Sequence, residues 1–180
     1  MQRQLFVSSR TGNQKFLTTR SVEGSTVGII GAGNIGGIIA RTVQMFSPLE
    51  TLYFNRSAKD VPASRVELDE LITRSDIIFL TLPLAAGRLL DAERIVSIKH
   101  DALLVSISPN NLIDYDALLP RLKDGTLRAA IDWPSPSAAY SMLPLDVWFS
   151  VNSHSAYNTH QALTNVNESI TRTALDLLAR

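Results

Sequence analysis

Thr26-Val27-Gly28-Ile29-Ile30-Gly31-Ala32-Gly33-Asn34-Ile35-Gly36-Gly37 decides the fold of this chain. A short apolar strand runs directly into Gly-x-Gly-x-x-Gly, and a helix is expected over about 34–46. Each glycine has a physical task. Gly31 permits the tight turn, Gly33 lets the backbone approach a pyrophosphate, and Gly36 lets the helix lie close against the strand. The first helical turn, with Asn34 and Ile35, then offers unpaired backbone N–H groups and a partial positive charge to phosphates. The reading is a dinucleotide site; the plain alternative is a tight strand-to-helix turn with no ligand.

The next strand refines the ligand. Thr51-Leu52-Tyr53-Phe54 reads as a strand ending at Asn55-Arg56-Ser57. A carboxylate at this place would accept hydrogen bonds from ribose hydroxyls and favour NAD. Here an amide, a guanidinium and a hydroxyl stand instead. Arg56 can pair with a 2′-phosphate and Ser57 can donate to it. NADP(H) is therefore expected ahead of NAD(H), against the alternative of a solvated polar turn.

Outward from this core, strand and helix signals alternate. Ser47-Pro48 stops the first helix, and 67–72 suggests a short one. Asp76-Ile77-Ile78-Phe79-Leu80-Thr81-Leu82-Pro83 is an apolar run closed by proline, as in a buried parallel strand. A helix near 90–97 precedes a strand at 102–106. Residues 114–123 carry helical apolar spacing, with Pro120 expected to truncate or kink them. Strands at 127–132 and 147–151 follow, then a helix over about 158–179. This alternation predicts an α/β fold of Rossmann type: a doubly wound, mainly parallel sheet with helices on both faces. Residues 1–24 read as a lead-in with a turn at 9–13, and 25–180 as one dinucleotide-binding domain.

Composition narrows the partners. The chain has 180 residues, 17 basic against 17 acidic side chains, and no cysteine. Zero net charge without basic runs argues against nucleic acid and anionic membranes. The lack of cysteine excludes disulfides and thiol catalysis. No apolar stretch approaches the ~20 residues of a bilayer span, and no signal-peptide core is present, so a cytoplasmic protein is expected. His154-x5-His160 fits no zinc spacing, and no metal is expected. His100 and His160 read as surface residues. Met45, Trp148, Phe149, Leu175 and Leu178 read as core or interface.

From about Arg10 onward the chain resembles the nucleotide-binding domain of the D-isomer-specific 2-hydroxyacid dehydrogenases. The resemblance rests on 27–37, Leu80-Thr81-Leu82-Pro83-Leu84, 101–106, Leu112-Ile113-Asp114-Tyr115-Asp116-Ala117-Leu118, Ala129-Ala130-Ile131-Asp132 and Asn152-Ser153-His154-Ser155-Ala156. It implies an NAD(P)-dependent interconversion of a 2-hydroxy acid and a 2-keto acid. It also implies cofactor contacts from Leu82 and Pro83, with Ser106 and Asp132 at the ends of later strands.

The same resemblance exposes departures. The family's separate substrate domain has no counterpart before the first strand. The Arg expected to bind a substrate carboxylate falls at Pro109, within Ser108-Pro109-Asn110-Asn111. The Glu expected to orient the catalytic His falls within Trp133-Pro134-Ser135-Pro136-Ser137, which holds no carboxylate; Asp146 is the nearest downstream. His154 does match the family His, and an imidazole suits proton exchange near neutrality. The alternative for His154 is an inherited structural residue. Trp133, at the ligand-binding end of a strand, is expected to cover the nicotinamide end of the site or to fill space left by the missing domain. Three functions follow: a small NADP-preferring oxidoreductase with an unidentified small-molecule substrate, a non-catalytic dinucleotide-binding module, or a fragment of a longer dehydrogenase. The first calls for a second copy or a partner chain to complete the substrate pocket.

Overall fold

The structure, a computed structural model, describes residues 21–133, 136–144, 146–150, 154 and 159–178, with side chains as far as 172 in the last segment. The lead-in up to residue 20, with its turn at 9–13, lies outside the described residues, as do Pro134, Ser135 and Val151. The side chains of Leu175 and Leu178 lie outside them too.

Seven strands form one sheet: β1 (Thr26–Ile30), β2 (Glu50–Phe54), β3 (Ser64–Arg65), β4 (Ile77–Leu80), β5 (Ala102–Ser106), β6 (Leu127–Ile131) and β7 (Trp148–Phe149). Their order is β3-β2-β1-β4-β5-β6-β7, and every pair is parallel. The order reverses at β1, which lies between β2 and β4. That reversal opens a crevice at the carboxyl edge, where such sheets bind ligands.

Around β1 both faces of the sheet are covered, which explains its unbroken apolar run. On one face Val27, Ile29 and Tyr53 pack with Ala40 and Val43 of helix α1 (Asn34–Val43). On the other, Ile30, Leu52, Ile78, Leu80 and Leu104 join helices α2 (Leu68–Arg74), α3 (Ala92–Ser97) and α4 (Tyr115–Lys123). Gly28 sits where α2 crosses β1: a Cβ there would lie 2.2 Å from Ser75 Oγ and 2.6 Å from Leu71 Cδ2. At the amino edge the Asp76 carboxylate accepts from Thr26 N (2.9 Å) and from Lys99 Nζ (3.2 Å), tying β1 to β4. Asp91 and Asp114 cap α3 and α4 by accepting from Arg94 N and Ala117 N.

Several expected boundaries shift. α1 ends at Val43 in a 3-10 turn, Gln44–Phe46, which Ser47 closes in the left-handed region at φ 49°. α4 continues through Pro120, whose ring faces solvent; the Asp116 carbonyl that loses its N–H partner there is on an exposed residue. β3 has no counterpart in the sequence reading. A short helix α5 (Ala138–Ser141) precedes β7, and α6 (His160–Leu178) follows it. Trp148 is buried, whereas Phe149 is partly exposed and Met45 is exposed, so Met45 is not a core residue. α6 shows Leu163, Val166 and Ile170 to solvent along one stripe. Among the described residues no helix is long and apolar enough to cross a membrane.

Candidate functional site

Register builds the site. Phe54, Ile30, Leu80, Ser106 and Ile131 lie in one row across five adjacent strands at the carboxyl edge. The row after it is also tied: Gly31 N donates to Phe54 O (2.9 Å), Thr81 N to Ile30 O (2.9 Å), Ile107 N to Leu80 O (3.2 Å) and Asp132 N to Ser106 O (2.9 Å). The loops that leave this row line an open cleft of about 430 Å³. Gly33, Asn34 and Ile35 enter from α1, and Thr81, Leu82 and Pro83 from the loop after β4. Ile107 and Pro109 follow β5, Trp133 follows β6, and His154 closes the far end.

The glycine turn has the geometry its sequence implies. Gly31 adopts φ 102°, open to glycine, and a Cβ would meet Leu82 Cδ2 at 2.7 Å. Gly36 packs so tightly that a Cβ would lie 2.0 Å from Gly31 O. Gly33 is the opposite case, since a Cβ there would meet nothing within 4 Å. Its backbone therefore faces free space at the mouth of α1, whose first turn has no side-chain cap and no acidic residue. Unpaired N–H groups beside an uncrowded backbone fit a pyrophosphate.

Loops on the other side of the crevice are fastened together. Thr81 Oγ1 donates to Gly31 O (2.6 Å), fixing the carbonyl against which Gly36 packs. Leu82 N donates to Ser108 Oγ (2.7 Å), and Ser108 N donates to Ser106 Oγ (3.1 Å). Ser106 is buried and its hydroxyl serves the loop, so it lies beneath the cleft wall and not on it. Tyr115 Oη donates to Asn110 Oδ1 (2.7 Å), and Asn111 Nδ2 to Leu84 O (3.3 Å), so both amides beside Pro109 are engaged. Tyr115 meets Tyr140 and Trp148 edge to face, Tyr140 and Trp148 are tilted against each other, and burial pushes both phenols well above their usual range.

At the end of β2, Asn55 Nδ2 donates to Ser57 O (3.0 Å), while the Arg56 and Ser57 side chains are exposed. Arg65 on β3, absent from the sequence reading, donates to Asn55 O (3.1 Å from Nη2) and to Arg56 O (3.2 Å). Tyr53 Oη accepts from Lys59 N (2.9 Å) and closes the loop. Two guanidiniums thus attend one turn. Asn55, Arg56 and Ser57 belong to this turn, apart from the cleft that receives Leu82, Pro83 and His154.

His154 stands at φ 41°, a left-handed conformation that costs about 1–2 kcal/mol in a residue with a Cβ. Its N–H donates to Asp132 O (2.9 Å), which ties His154 to the residue that follows β6. Its ring lies on the indole of Trp133, with centroids 4.2 Å apart and planes at 23°. Nε2 is 3.8 Å from Asp132 Oδ2, a carboxylate only 9% exposed. Asp132 is thus largely buried beside His154. Among the described residues no cluster of three or more His, Asp or Glu could hold a metal ion.

Comparison with known proteins agrees with this geometry. Residues 2–153 match the family described as D-isomer specific 2-hydroxyacid dehydrogenase, NAD binding domain. A glyoxylate reductase of Pyrococcus horikoshii is 32% identical over 123 residues, covering 64% of this chain and 36% of that protein. A glycerate dehydrogenase of Methylorubrum extorquens is 35% identical over 111 residues, covering 61% of this chain and 34% of that protein. The chain therefore spans about a third of the length of these relatives. The apo-structure of D-lactate dehydrogenase from Escherichia coli superimposes with a TM-score of 0.84 at 25% identity, covering 98% of this chain and 60% of that one. Parallel sheet, glycine turn and family match together place the chain among the D-isomer specific 2-hydroxyacid dehydrogenases, as their NAD-binding domain.

Proposed function

We propose that this chain is the cofactor-binding part of an oxidoreductase that prefers NADP(H) to NAD(H), with His154 as acid and base. The observation that carries the reading is a single cleft joining the open backbone of Gly33 to the imidazole of His154. Gly31, Gly33, Asn34, Ile35 and Gly36 would hold the pyrophosphate, and Leu82 and Pro83 the adjoining ribose. Bound there, the dinucleotide would supply a hydride to the carbonyl or imine carbon of the substrate. His154 gives the proton to the substrate oxygen, or to an imine nitrogen, and takes it back in the reverse direction.

The NADP(H) preference rests on the turn after β2. Arg56 is exposed and Arg65 lies against the same carbonyls, so a 2′-phosphate meets two guanidiniums and no carboxylate from 55–57. A second chain covering the cleft belongs to the same proposal, supported by exposed Ile35 and Ile38 on α1 beside its mouth. The test is a titration of the protein with NADPH and with NADH, followed by Trp fluorescence, with sizing of the same samples. Tighter NADPH binding, weakened at least tenfold in Arg56→Glu and in Arg65→Glu, is the expected result. Equal affinity for both dinucleotides overturns the preference, and no binding of either overturns the oxidoreductase reading.

One observation favours a second reading, a dinucleotide-binding module without turnover. Pro109 lines the cleft where the resemblance expects a substrate-binding Arg, and Asn110 and Asn111 are engaged elsewhere. NADPH oxidation with a panel of ketones and imines, lost in His154→Ala, decides for the enzyme; binding without oxidation decides for the module.

A further inference from the structure

We propose that Trp133 is the positioning residue for His154: the face of its indole sets the plane in which the imidazole is held over the cleft. The inference rests on the proposed role of His154 and adds to it the means by which the ring is kept in place.

Three observations converge. The two rings are stacked, with centroids 4.2 Å apart and planes at 23°. Trp133 is itself anchored, because its carbonyl accepts from Ser150 Oγ (3.1 Å) and its side chain packs on the main core. Its Nε1–H is buried and has no hydrogen-bond partner among the described residues. An indole chosen for its polar handle would use that N–H, since buried donors are nearly always paired. This one serves through its face.

The stack answers a mechanical need. His154 enters the site on a left-handed backbone at φ 41°. A ring so placed needs a surface to lie on. Asp132 Oδ2 lies 3.8 Å from Nε2, and the aromatic face fixes the plane of the ring. When the imidazole carries a proton the same face attracts it as a cation, so the support persists in both states of the cycle. Asp132 is the ionisable group facing the ring from the β6 loop. Gly33, Asn34 and Ile35 from α1, and Thr81, Leu82 and Ile107 from the other loops, bring no ionisable side chain to the cleft.

Fluorescence tests the stack without any substrate. An imidazolium quenches an indole that it touches, so Trp emission of the native protein is expected to fall at acid pH and recover as the ring is neutralised. That pH-dependent step should vanish in His154→Gln and in Trp133→Phe, with Trp148 left as a constant background. Persistence of the step in either variant, or no step in the native protein, overturns the stack.

Kinetics test its purpose. With any substrate that His154 turns over, Trp133→Phe keeps a stacking face and should hold kcat within about threefold. Trp133→Leu removes the face and should lower kcat at least tenfold. Equal kcat in the Leu variant, or equal losses in Phe and Leu, overturns the positioning role. If His154→Gln turns over normally, the acid–base reading fails by itself, while the fluorescence result still decides the stack.

Discussion

Gly33 and Gly36 stand three residues apart in one turn, and the structure assigns them opposite sensitivities. At Gly36 an alanine Cβ would lie 2.0 Å from Gly31 O and 2.9 Å from Thr81 Oγ1. Real Cβ contacts stay beyond about 3.0 Å, so the Gly31 carbonyl or α1 must move by about 1 Å. The carbonyl is held by Thr81 Oγ1 at 2.6 Å, and α1 is held by Ala40 and Val43 in the core. Overpacking against backbone that cannot yield costs about 3 kcal/mol, the upper end of the usual range. For a chain of this size that lowers Tm by about 6–12 °C. At Gly33 the added methyl meets no atom within 4 Å, so Gly33→Ala should change stability by less than about 1 kcal/mol. The methyl instead occupies the space assigned to the pyrophosphate, and NADPH binding should weaken tenfold or more, at least about 1.4 kcal/mol. Thermal unfolding and NADPH titration of both variants give the four numbers needed. A Gly36→Ala protein with native Tm refutes the packing argument, and a Gly33→Ala protein with native NADPH affinity refutes the assignment of the open space.

Two further outcomes are expected. Burial raises the pKa of the Tyr115 phenol above its ordinary value of 10.0, so the folded state keeps a proton that the unfolded chain loses. Stability is therefore full below pH 10 and falls as pH rises beyond it; Tyr115→Phe should flatten that alkaline fall in urea melts run from pH 8 to 11, and an unchanged slope counts against it. Simple 2-keto acids lack a cationic partner at Pro109, so pyruvate and glyoxylate should be reduced at well under 1 s⁻¹, below the ordinary enzyme range of roughly 1–10³ s⁻¹. Turnover of either within that range, measured by NADPH absorbance, sinks the reading of Pro109.

The parallel sheet was legible because its central strands read as unbroken apolar runs, with β1 buried on both faces. β1, β4 and β5 announce themselves in this way, and Gly31, Gly33 and Gly36 mark the turn between β1 and α1. β3 was illegible for the converse reason. Ser64 and Arg65 are exposed edge residues with no apolar pattern, ordered by pairing to Leu52 and Tyr53. Arg65 was lost with them, since its place beside Arg56 depends on that pairing. The sequence also marked His154, Asp132 and Trp133 singly. Their stacking and the 3.8 Å approach depend on the positive φ of His154, which no local pattern encodes. Ser106 reads as a strand-end polar group in sequence, and only register shows that its hydroxyl faces Ser108.

The hydrogen-bonded chain from Ser106 through Ser108 to Leu82 has a consequence for how a ligand arrives. It fastens the loop after β5 to the loop after β4 using groups that are themselves buried. A binding wall assembled from free loops would lose its conformational freedom at the moment of association, weakening affinity by that amount. Here the freedom is surrendered earlier, when the chain folds, so this side of the cleft meets its guest in finished form. Association on that side should be limited by encounter rather than by rearrangement of the wall.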